Sequence, residues 1–466
     1  MKLLNDLILT FNDVLWTYIL IAMLIIIGLY FTFKTKFVQF RNIKEMFRLL
    51  GNGAKSKDSK DTISSFQAFC ISTASRVGTG NLAGVATAIA IGGPGAIFWM
   101  WLIALIGSAS AFIESTLAQI YKEKDGSNFI GGPAYYMEKG LKKRWMGVIF
   151  AILITISFGL VFNSVQSNTI ALSLNSSFGF DTKIIGLILT ILTIIIIFGG
   201  VKRIADVSSV LVPIMAIAYI LVALFIVLKN FTAIPSVLSL IFENAFGINQ
   251  VVGGSIGAAL MQGIKRGLFS NEAGMGSAPN AAATATVSHP VNQGFIQTLG
   301  VFTDTLIICS CTAFIVLLSG VPLDGSIKGI ELTQLAVSSQ VGSWGNTFIS
   351  LCILLFAFSS IVGNYYYGEA NIQFITNKKI YLSIYRISVA LMVFFGSLVS
   401  MDIVWNLADV FMGLMAVINL IAIVLLSKIA FKALEDYTTQ KKAGIKNPVF
   451  KSSSIPELND EVTEWK

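Results

Sequence analysis

The sequence predicts an all-α polytopic membrane protein of about eleven transmembrane helices, with one N-terminal helix followed by a five-plus-five inverted repeat. Three observations predict this class. The residues are 55% hydrophobic and only 12% charged, whereas a soluble protein carries about a quarter charged residues. Many apolar runs are long enough to cross a bilayer, and one polar motif occurs twice within such runs. These observations exclude a soluble protein.

Apolar runs of about 18 residues or more define the individual spans. The first run is too long for a cleavable signal peptide and lacks a small-residue cleavage site. The predicted spans are 14–34, 66–92, 95–120, 146–171, 183–200, 205–228, 250–285, 292–319, 342–376, 381–399 and 402–427.

The distribution of basic residues predicts the orientation, because cytoplasmic loops are enriched in Lys and Arg. With the N-terminus outside, the inside segments hold most of the 33 basic residues. We therefore expect an outside N-terminus and a cytoplasmic C-terminus, with a mobile polar end after Tyr437. The parts are an N-terminal helix with a basic linker (1–65), a first repeat (66–228), an extracellular connector (229–249), a second repeat (250–427) and a cytoplasmic tail (428–466).

The span 66–92 is apolar at both ends and polar in its middle. An unpaired backbone group in lipid costs several kcal/mol, so such a middle must face protein or a watery cavity. Gly78 and Gly80 allow the helix to break there. Free amides over residues 78–81 would suit a carboxylate, and the carbonyls of Ala74 and Val77 would suit a cation. The alternative is a helix that is kinked only for packing.

The polar motif of this span recurs in the predicted span 250–285. Residues 76–88 align without gaps on residues 266–278, and both copies contain Arg, Asn and Ala-Gly at the same positions. Five spans begin with each copy, so the copies have opposite orientations. Paired interrupted helices point to the binding site of a secondary transporter. A second break is expected near residues 267–271; chance similarity of two small-residue helices is the alternative.

Further polar groups inside spans are candidates for the same site. Two adjacent hydroxyls, Ser359 and Ser360, would form an oxygen cage for Na⁺ with nearby carbonyls, although Ser hydroxyls commonly bond to their own helix. Gln166 lies on an amide face of its helix, which either joins helices or binds solute. Asn364 shares the face of Ser360.

Buried charges need partners or a role. Arg76 and Arg266 flank the two breaks, Glu272 lies at the second, and Glu114, Asp304 and Glu369 lie well inside spans. Arg76, Arg266 and Glu272 are therefore candidates for pairing that gates the pathway. Fixed structural ion pairs are the alternative.

Enzyme chemistry finds no support in the residues. The cysteines lie in apolar segments and are expected to be buried thiols, and His289 is the only histidine. Without a Cys/His cluster or a nucleophile–base pair, we expect neither an enzyme nor a cofactor. No nucleic acid and no obligate protein partner is expected; the expected partners are the lipid bilayer, a solute and an ion.

Five motifs, in order along nearly the whole chain, carry a family resemblance. They read Val77-Gly-Thr-Gly-Asn-Leu-Ala-Gly, Gly92-Gly-Pro-Gly-Ala-Ile-Phe-Trp, Phe129-Ile-Gly-Gly-Pro-Ala-Tyr-Tyr, Lys265-Arg-Gly-Leu-Phe-Ser-Asn-Glu-Ala-Gly-Met-Gly-Ser and Tyr365-Tyr-Tyr-Gly-Glu. The chain thereby resembles the alanine/glycine:cation symporter family, also called sodium:alanine symporters. The resemblance implies a leucine-transporter type of fold and Na⁺-coupled uptake of small neutral amino acids by alternating access across a prokaryotic plasma (inner) membrane.

The resemblance also implies roles for individual positions. Na⁺ would be held by backbone oxygens and by the hydroxyl pair, at Ala74, Val77, Phe356, Ser359 and Ser360. The amino acid would be bound by the unwound first and sixth core helices and by the third, at Gly78, Thr79, Gly80, Asn81, Gln166, Phe269, Ser270 and Asn271.

Asn364 departs from the pattern, since many family members carry a Trp shortly after the hydroxyl pair. A smaller polar residue would enlarge the pocket, so glutamine joins alanine and glycine as an expected substrate. Other functions remain open at this point: proton coupling through Glu272 or Asp304, a channel, and a transporter-like receptor.

Overall fold

The computed structural model describes residues 2–55, 62–247, 256–458 and 462–465, which fold into helices and one short β-hairpin. Single helical turns lie at Val38–Arg41, Phe231–Ala233 and Ser452–Ser454. The other elements are α1 (Ile8–Lys34, with its first turns from Lys2), α2 (Ile43–Lys55), α3 (Ser65–Arg76), α4 (Gly80–Gly92), α5 (Ala96–Ile120), β1 (Glu123–Asp125), β2 (Asn128–Ile130), α6 (Pro133–Lys139), α7 (Arg144–Phe178), α8 (Thr182–Ile197), α9 (Gly200–Lys229), α10 (Ile234–Ala245), α11 (Ile256–Asn271), α12 (Ala278–Thr284), α13 (Val291–Leu317), α14 (Gly329–Val341), α15 (Trp344–Ile375), α16 (Lys379–Gly396) and α17 (Met401–Lys442).

Each predicted span corresponds to a helix or to a broken helix in the described part of the chain. The continuous spans are α1, α5, α7, α8, α9, α13, α15, α16 and α17. The two interrupted spans are the pairs α3/α4 and α11/α12. The all-α polytopic prediction is therefore confirmed, while the predicted repeat start at residue 250 lies outside the described residues.

The two broken helices lie at the centre of the molecule. Every residue from 68 to 90 and from 263 to 285 is buried. Helix α5 packs against α11, α12 and α13, and α15 packs against α3 and α7. The outer helices α8, α9 and α16 instead expose large apolar side chains, such as Ile188, Leu221 and Leu391, which suits contact with lipid.

The second break lies a few residues later than the sequence indicated. Helix α11 continues through residues 267–271, and the chain leaves helical geometry at Glu272 (φ 57°), Gly274 (φ 83°) and Gly276 (φ 85°). Gly274 and Gly276 adopt their positive φ angles without steric cost, whereas Glu272 adopts one despite its Cβ. Gly267 serves close packing, since a Cβ there would lie 2.8 Å from Ile103 Cγ2. Phe269, Ser270 and Asn271 are therefore the last helical turn before the break.

The C-terminal tail is folded against the body, so the expectation of a mobile end after Tyr437 is wrong for its described residues. Helix α17 continues to Lys442, well past the predicted end of the last span at 427. Beyond it, Phe450, Ile455 and Trp465 are at most 6% exposed. The indole Nε1 of Trp465 donates to Gln119 O at 2.9 Å. Because the tail is mainly polar and its apolar residues are widely spaced, its composition did not predict that these side chains would pack against the body.

Candidate functional site

The first break comprises residues 77–79 and separates α3 from α4. In a continuous helix the amide of Gly78 would bond to Ala74 O. Here Gly78 N donates to Asn81 Oδ1 at 2.9 Å, so Ala74 O has lost its helical donor. A Cβ at Gly78 would lie 2.3 Å from Ser360 Oγ, so only glycine fits this position without displacing its neighbour.

Gln166 of α7 binds the next residue of the first break. Its Oε1 accepts from Thr79 N at 3.0 Å and from Thr79 Oγ1 at 2.7 Å. The predicted amide face of α7 therefore contacts the break. This arrangement keeps the polar backbone of residues 77–79 against protein, as a break within a membrane-spanning segment requires.

Four oxygens that were predicted to bind Na⁺ converge beside the first break. Ser360 Oγ lies 2.8 Å from Ala74 O, 3.0 Å from Phe356 O and 3.3 Å from Val77 O. One hydroxyl proton can satisfy only one of these three carbonyls. A cation is the partner that satisfies several converging oxygens together, and an all-oxygen set suits a hard cation.

Ser359, the other predicted hydroxyl, sits at the margin of this set. Its Oγ lies 2.8 Å from Phe356 O and reaches towards Met215 of α9. Of the converging oxygens it contacts only that of Phe356. The two adjacent hydroxyls therefore differ in geometry.

Aromatic rings flank the last turn of α11. The ring of Phe269 lies 4.6 Å from that of Phe162 and 4.7 Å from that of Trp405, centroid to centroid. A Cβ at Gly80 would lie 2.8 Å from the Phe269 ring. The Phe269 ring therefore packs closely against Gly80, the first residue of α4 after the first break.

Asp304 of α13 links the two broken helices. Its Oδ1 accepts from Asn81 Nδ2 at 2.6 Å, and its Oδ2 accepts from Ser270 Oγ at 2.8 Å. The side chain is fully buried. Sequence reasoning recognised Asp304 as an intramembrane acid but did not include it in the binding site. The available signal was its spacing from Glu114, which equals the spacing between the two copies of the repeated motif.

The second break, residues 272–277, is joined to α3 through Glu272. Glu272 Oε1 lies 2.7 Å from Ser75 Oγ, and its Oε2 accepts from Ser277 Oγ at 2.6 Å. Ser75 Oγ also lies 2.7 Å from Asn364 Oδ1. The chain thus brings the predicted residues Glu272 and Asn364 together through Ser75, which sequence reasoning missed.

Two buried amide side chains near this junction retain hydrogen-bonding capacity. Asn271 Nδ2 has no hydrogen-bond partner among the described residues, and neither does the amide atom of Asn364 that does not contact Ser75. Asn271 uses its Oδ1 to accept from Ala273 N at 3.0 Å. Because an unmatched buried polar group costs about 1–3 kcal/mol, such groups are suited to the polar groups of a ligand.

The two predicted arginines have different partners. Arg266 makes a two-oxygen contact with buried Asp409, at 2.8 and 2.6 Å, and its guanidinium lies 4.5 Å from the Trp405 ring centroid. Arg266 therefore pairs with Asp409 instead of Glu272. Arg76 donates to Gln297 O at 3.4 Å and forms no ion pair with Glu272 in the described structure.

With this geometry established, comparison with known proteins identifies the family. Residues 1–452 match the profile of the Sodium:alanine symporter family. The chain belongs to this family.

Relatives in the sodium:alanine symporter family align over nearly the whole chain. The Probable sodium/glutamine symporter GlnT of Bacillus subtilis is 61% identical, with 94% of this chain and 91% of GlnT covered. The Amino-acid carrier protein AlsT of the same organism is 57% identical, covering 98% and 97%. The Sodium/alanine symporter AgcS of Methanococcus maripaludis is 36% identical, covering 94% and 98%.

Solved structures with low sequence identity share the fold. MhsT in complex with L-phenylalanine superposes with a TM-score of 0.57 at 14% identity, covering 81% of this chain and 98% of MhsT. A mutant manganese transporter of Eremococcus coleocola gives 0.50 at 15% identity, covering 82% of each chain. The predicted leucine-transporter type of fold is thereby confirmed. Family membership makes this protein a sodium-coupled symporter of small amino acids and not an enzyme.

Proposed function

We propose that this symporter carries glutamine as well as alanine or glycine, and that solute and Na⁺ bind together at the two breaks. The observation that carries the proposal is the convergence of the Ala74 and Val77 carbonyls on Ser360 Oγ beside the amides of the first break. A cation there lies next to the position where a carboxylate would meet residues 78–81. The solute and Na⁺ would then both stabilise the non-helical backbone of the first break.

The roles of the solute's groups follow from this layout. Its carboxylate is held by the amides of Gly78, Thr79, Gly80 and Asn81. Phe269, with Ser270 and Asn271, forms the opposite wall. Two protein acceptors now bind these amides, Gln166 Oε1 at Thr79 N and Asn81 Oδ1 at Gly78 N, and both yield when the solute enters.

The pocket end near Asn364 supports glutamine. The unmatched amide groups of Asn364 and Asn271 are suited to a side-chain amide, which both donates and accepts hydrogen bonds. The Probable sodium/glutamine symporter GlnT, at 61% identity, is consistent with this substrate, and the Sodium/alanine symporter AgcS is consistent with alanine. Because a small solute leaves both amide groups unmatched, glutamine should bind more tightly than alanine.

Uptake of radiolabelled glutamine, alanine and glycine into proteoliposomes under an imposed Na⁺ gradient tests the proposal. We expect all three to enter and glutamine to compete best. Accumulation of alanine alone, unaffected by excess glutamine, would contradict the substrate assignment.

Proton coupling is a second candidate because Asp304 places a buried carboxyl between the two breaks. The Putative sodium/proton-dependent alanine carrier protein YrbD of Bacillus subtilis, 45% identical, agrees with it. Uptake that follows an imposed proton gradient without Na⁺ would favour this candidate.

We also propose the orientation and the gating roles. The basic loops support an outside N-terminus and a cytoplasmic C-terminus in the prokaryotic plasma membrane. Arg266, paired with Asp409, lies near the end of α11 before the second break, and Arg76 is the last residue of α3 before the first break. Charge neutralisation at Arg76, Arg266 or Glu272 that leaves uptake intact would contradict a gating role for that residue.

A further inference from the structure

Two buried carboxylates occupy equivalent positions in the two repeats. Glu114 lies on α5, the second helix of the first repeat, and Asp304 lies on α13, the second helix of the second repeat. Their separation along the chain is the same as that between Arg76 and Arg266. Both are fully buried. The repeat that supplies the broken helices therefore also supplies a matched pair of acids.

Glu114 binds the broken helix of the opposite repeat. Its Oε1 accepts from Gly274 N and its Oε2 from Gly276 N, each at 3.1 Å. Asn419 of α17 donates to Oε2 at 2.8 Å and to Gly274 O at 2.9 Å. Both oxygens of Glu114 thus accept hydrogen bonds from amides of the second break, and these bonds hold that segment in its non-helical geometry.

Asp304 makes the reverse crossing. It belongs to the second repeat and accepts from Asn81, which follows the first break in the first repeat. Its other oxygen accepts from Ser270, just before the second break. Each broken helix is therefore fixed by a carboxylate of the opposite repeat, and Asp304 contacts both.

We propose that Glu114 and Asp304 are a symmetry-related pair of positioning residues that make the two breaks change shape together. A rearrangement of either break must exchange hydrogen bonds with a carboxylate that is anchored in the opposite repeat. Because the proposed solute and Na⁺ sites lie at these breaks, the pair would transmit binding of one ligand to the other. Such coupling is reciprocal. This inference rests on the proposed function.

Substitution chemistry distinguishes the two carboxylates. Glu114→Gln keeps the side-chain size, but its amide nitrogen would face a backbone N–H, so one of the two amides of the second break loses its acceptor. Asp304→Asn can retain both contacts if the Ser270 hydroxyl turns and accepts. Asp304→Ala cannot. Asp304→Asn thus serves as the conservative rescue for Asp304→Ala.

The test is binding of radiolabelled glutamine to purified full-length protein at low and high Na⁺. In the wild type, Na⁺ should raise glutamine affinity, within the roughly 5- to 150-fold range of such coupling. We expect Glu114→Gln and Asp304→Ala to lower this enhancement at least about fivefold, and Asp304→Asn to restore most of it. Glu369→Gln, a buried acid that pairs with Arg386 away from the breaks, is the matched control and should keep it.

Failure of the proposed function and failure of the positioning role give different results in this experiment. A wild type whose glutamine binding ignores Na⁺ would contradict the proposed function itself. If Na⁺ raises the glutamine affinity of the wild type, and Glu114→Gln and Asp304→Ala keep the full increase, only the positioning role is overturned. If Glu114→Gln does not fold, Asp304→Ala against Asp304→Asn decides the question. Equal losses of the Na⁺ enhancement in Asp304→Ala and Asp304→Asn would also count against the positioning role. The same holds for an equal loss in the Glu369→Gln control.

Discussion

Gly78 is the residue on which the geometry of the first break depends most directly. We predict that Gly78→Ala lowers Na⁺-driven uptake at least about tenfold, since the added Cβ would lie 2.3 Å from Ser360 Oγ and 2.8 Å from Gln166 Oε1. Overpacking of this kind costs about 1–3 kcal/mol, and a tenfold change corresponds to about 1.4 kcal/mol. Initial uptake rates in proteoliposomes provide the measurement.

A glycine in open space supplies the control for this substitution. A Cβ at Gly51 of the surface helix α2 would meet no atom within 4 Å. Gly51→Ala should transport like the wild type. Equal transport by Gly78→Ala and Gly51→Ala would contradict the close approach at the first break.

Asn364 determines the substrate preference in this account. We predict that Asn364→Trp abolishes glutamine uptake and retains uptake of alanine or glycine, because the indole fills the pocket and removes the unmatched amide. Competition by unlabelled amino acids against labelled alanine measures the change. Asn364→Leu, which removes the amide with similar volume, should lose glutamine preference only partly. Undiminished glutamine competition in Asn364→Trp would place the solute's side chain elsewhere.

The sequence correctly predicted which residues share a site where those residues lie close together along the chain. Ala74, Val77 and the following amides share one short segment, so their common break can be read from its glycines. Asp304 and Glu114 owe their roles to contacts across the repeats, which no local pattern encodes. Asn364 and Glu272 meet only through Ser75, a serine that no motif distinguishes in the sequence.

At the scale of elements, hydropathy predicted the membrane spans because bilayer thickness sets their length and composition locally. It did not predict α6 or α14, which are short helices of mixed composition between spans. It also located the second break too early, since Gly267, Gly274 and Gly276 look alike in sequence. Only the last two have positive φ angles.

The surface helix α2 is tied to the end of α17 by Glu45. Burial alone would raise the pKa of Glu45, but hydrogen bonds from Arg48, Tyr437 and Lys441 together lower it to about 2. A carboxyl group with a lowered pKa stabilises the fold above its unfolded value of about 4.5, and this contribution is lost as the pH falls towards 2. We predict that acidification from about pH 5 to about pH 3 lowers the unfolding temperature of the wild type more than that of Glu45→Gln.

Thermal unfolding of the two purified proteins in detergent, at matched pH values, measures this difference. The gap between wild type and Glu45→Gln should be largest at pH 5 and should narrow at pH 3. A gap that stays constant over this range would show that the tie between α2 and α17 does not depend on the charge of Glu45.

At the scale of the whole molecule, the C-terminal tail joins elements that are distant in sequence. Trp465 packs against Phe450 and bonds to Gln119 O, while Phe450 N donates to Ser288 O at 3.0 Å. The tail thus contacts both the C-terminal end of α5 and the loop that follows α12. We predict that Trp465→Ala lowers the unfolding temperature, since truncation of a buried Trp costs about 3–5 kcal/mol.

Trp344→Ala is the control for this substitution, because Trp344 is 52% exposed. Its unfolding temperature in detergent should stay near that of the wild type. A Trp465→Ala protein that unfolds with the wild type would show that the tail adds nothing to the stability of the body.

For the whole molecule, Na⁺ binding beside the first break is what drives uptake. The Na⁺ dependence of glutamine uptake in Ser360→Ala, compared with Ser359→Ala, tests it most directly. Ser360 contacts three converging carbonyls, whereas Ser359 contacts one. We predict that Ser360→Ala raises the Na⁺ concentration for half-maximal uptake at least about tenfold, and that Ser359→Ala raises it much less, because Ser360 alone contacts carbonyls of the first break. An unchanged Na⁺ dependence in Ser360→Ala would contradict the account.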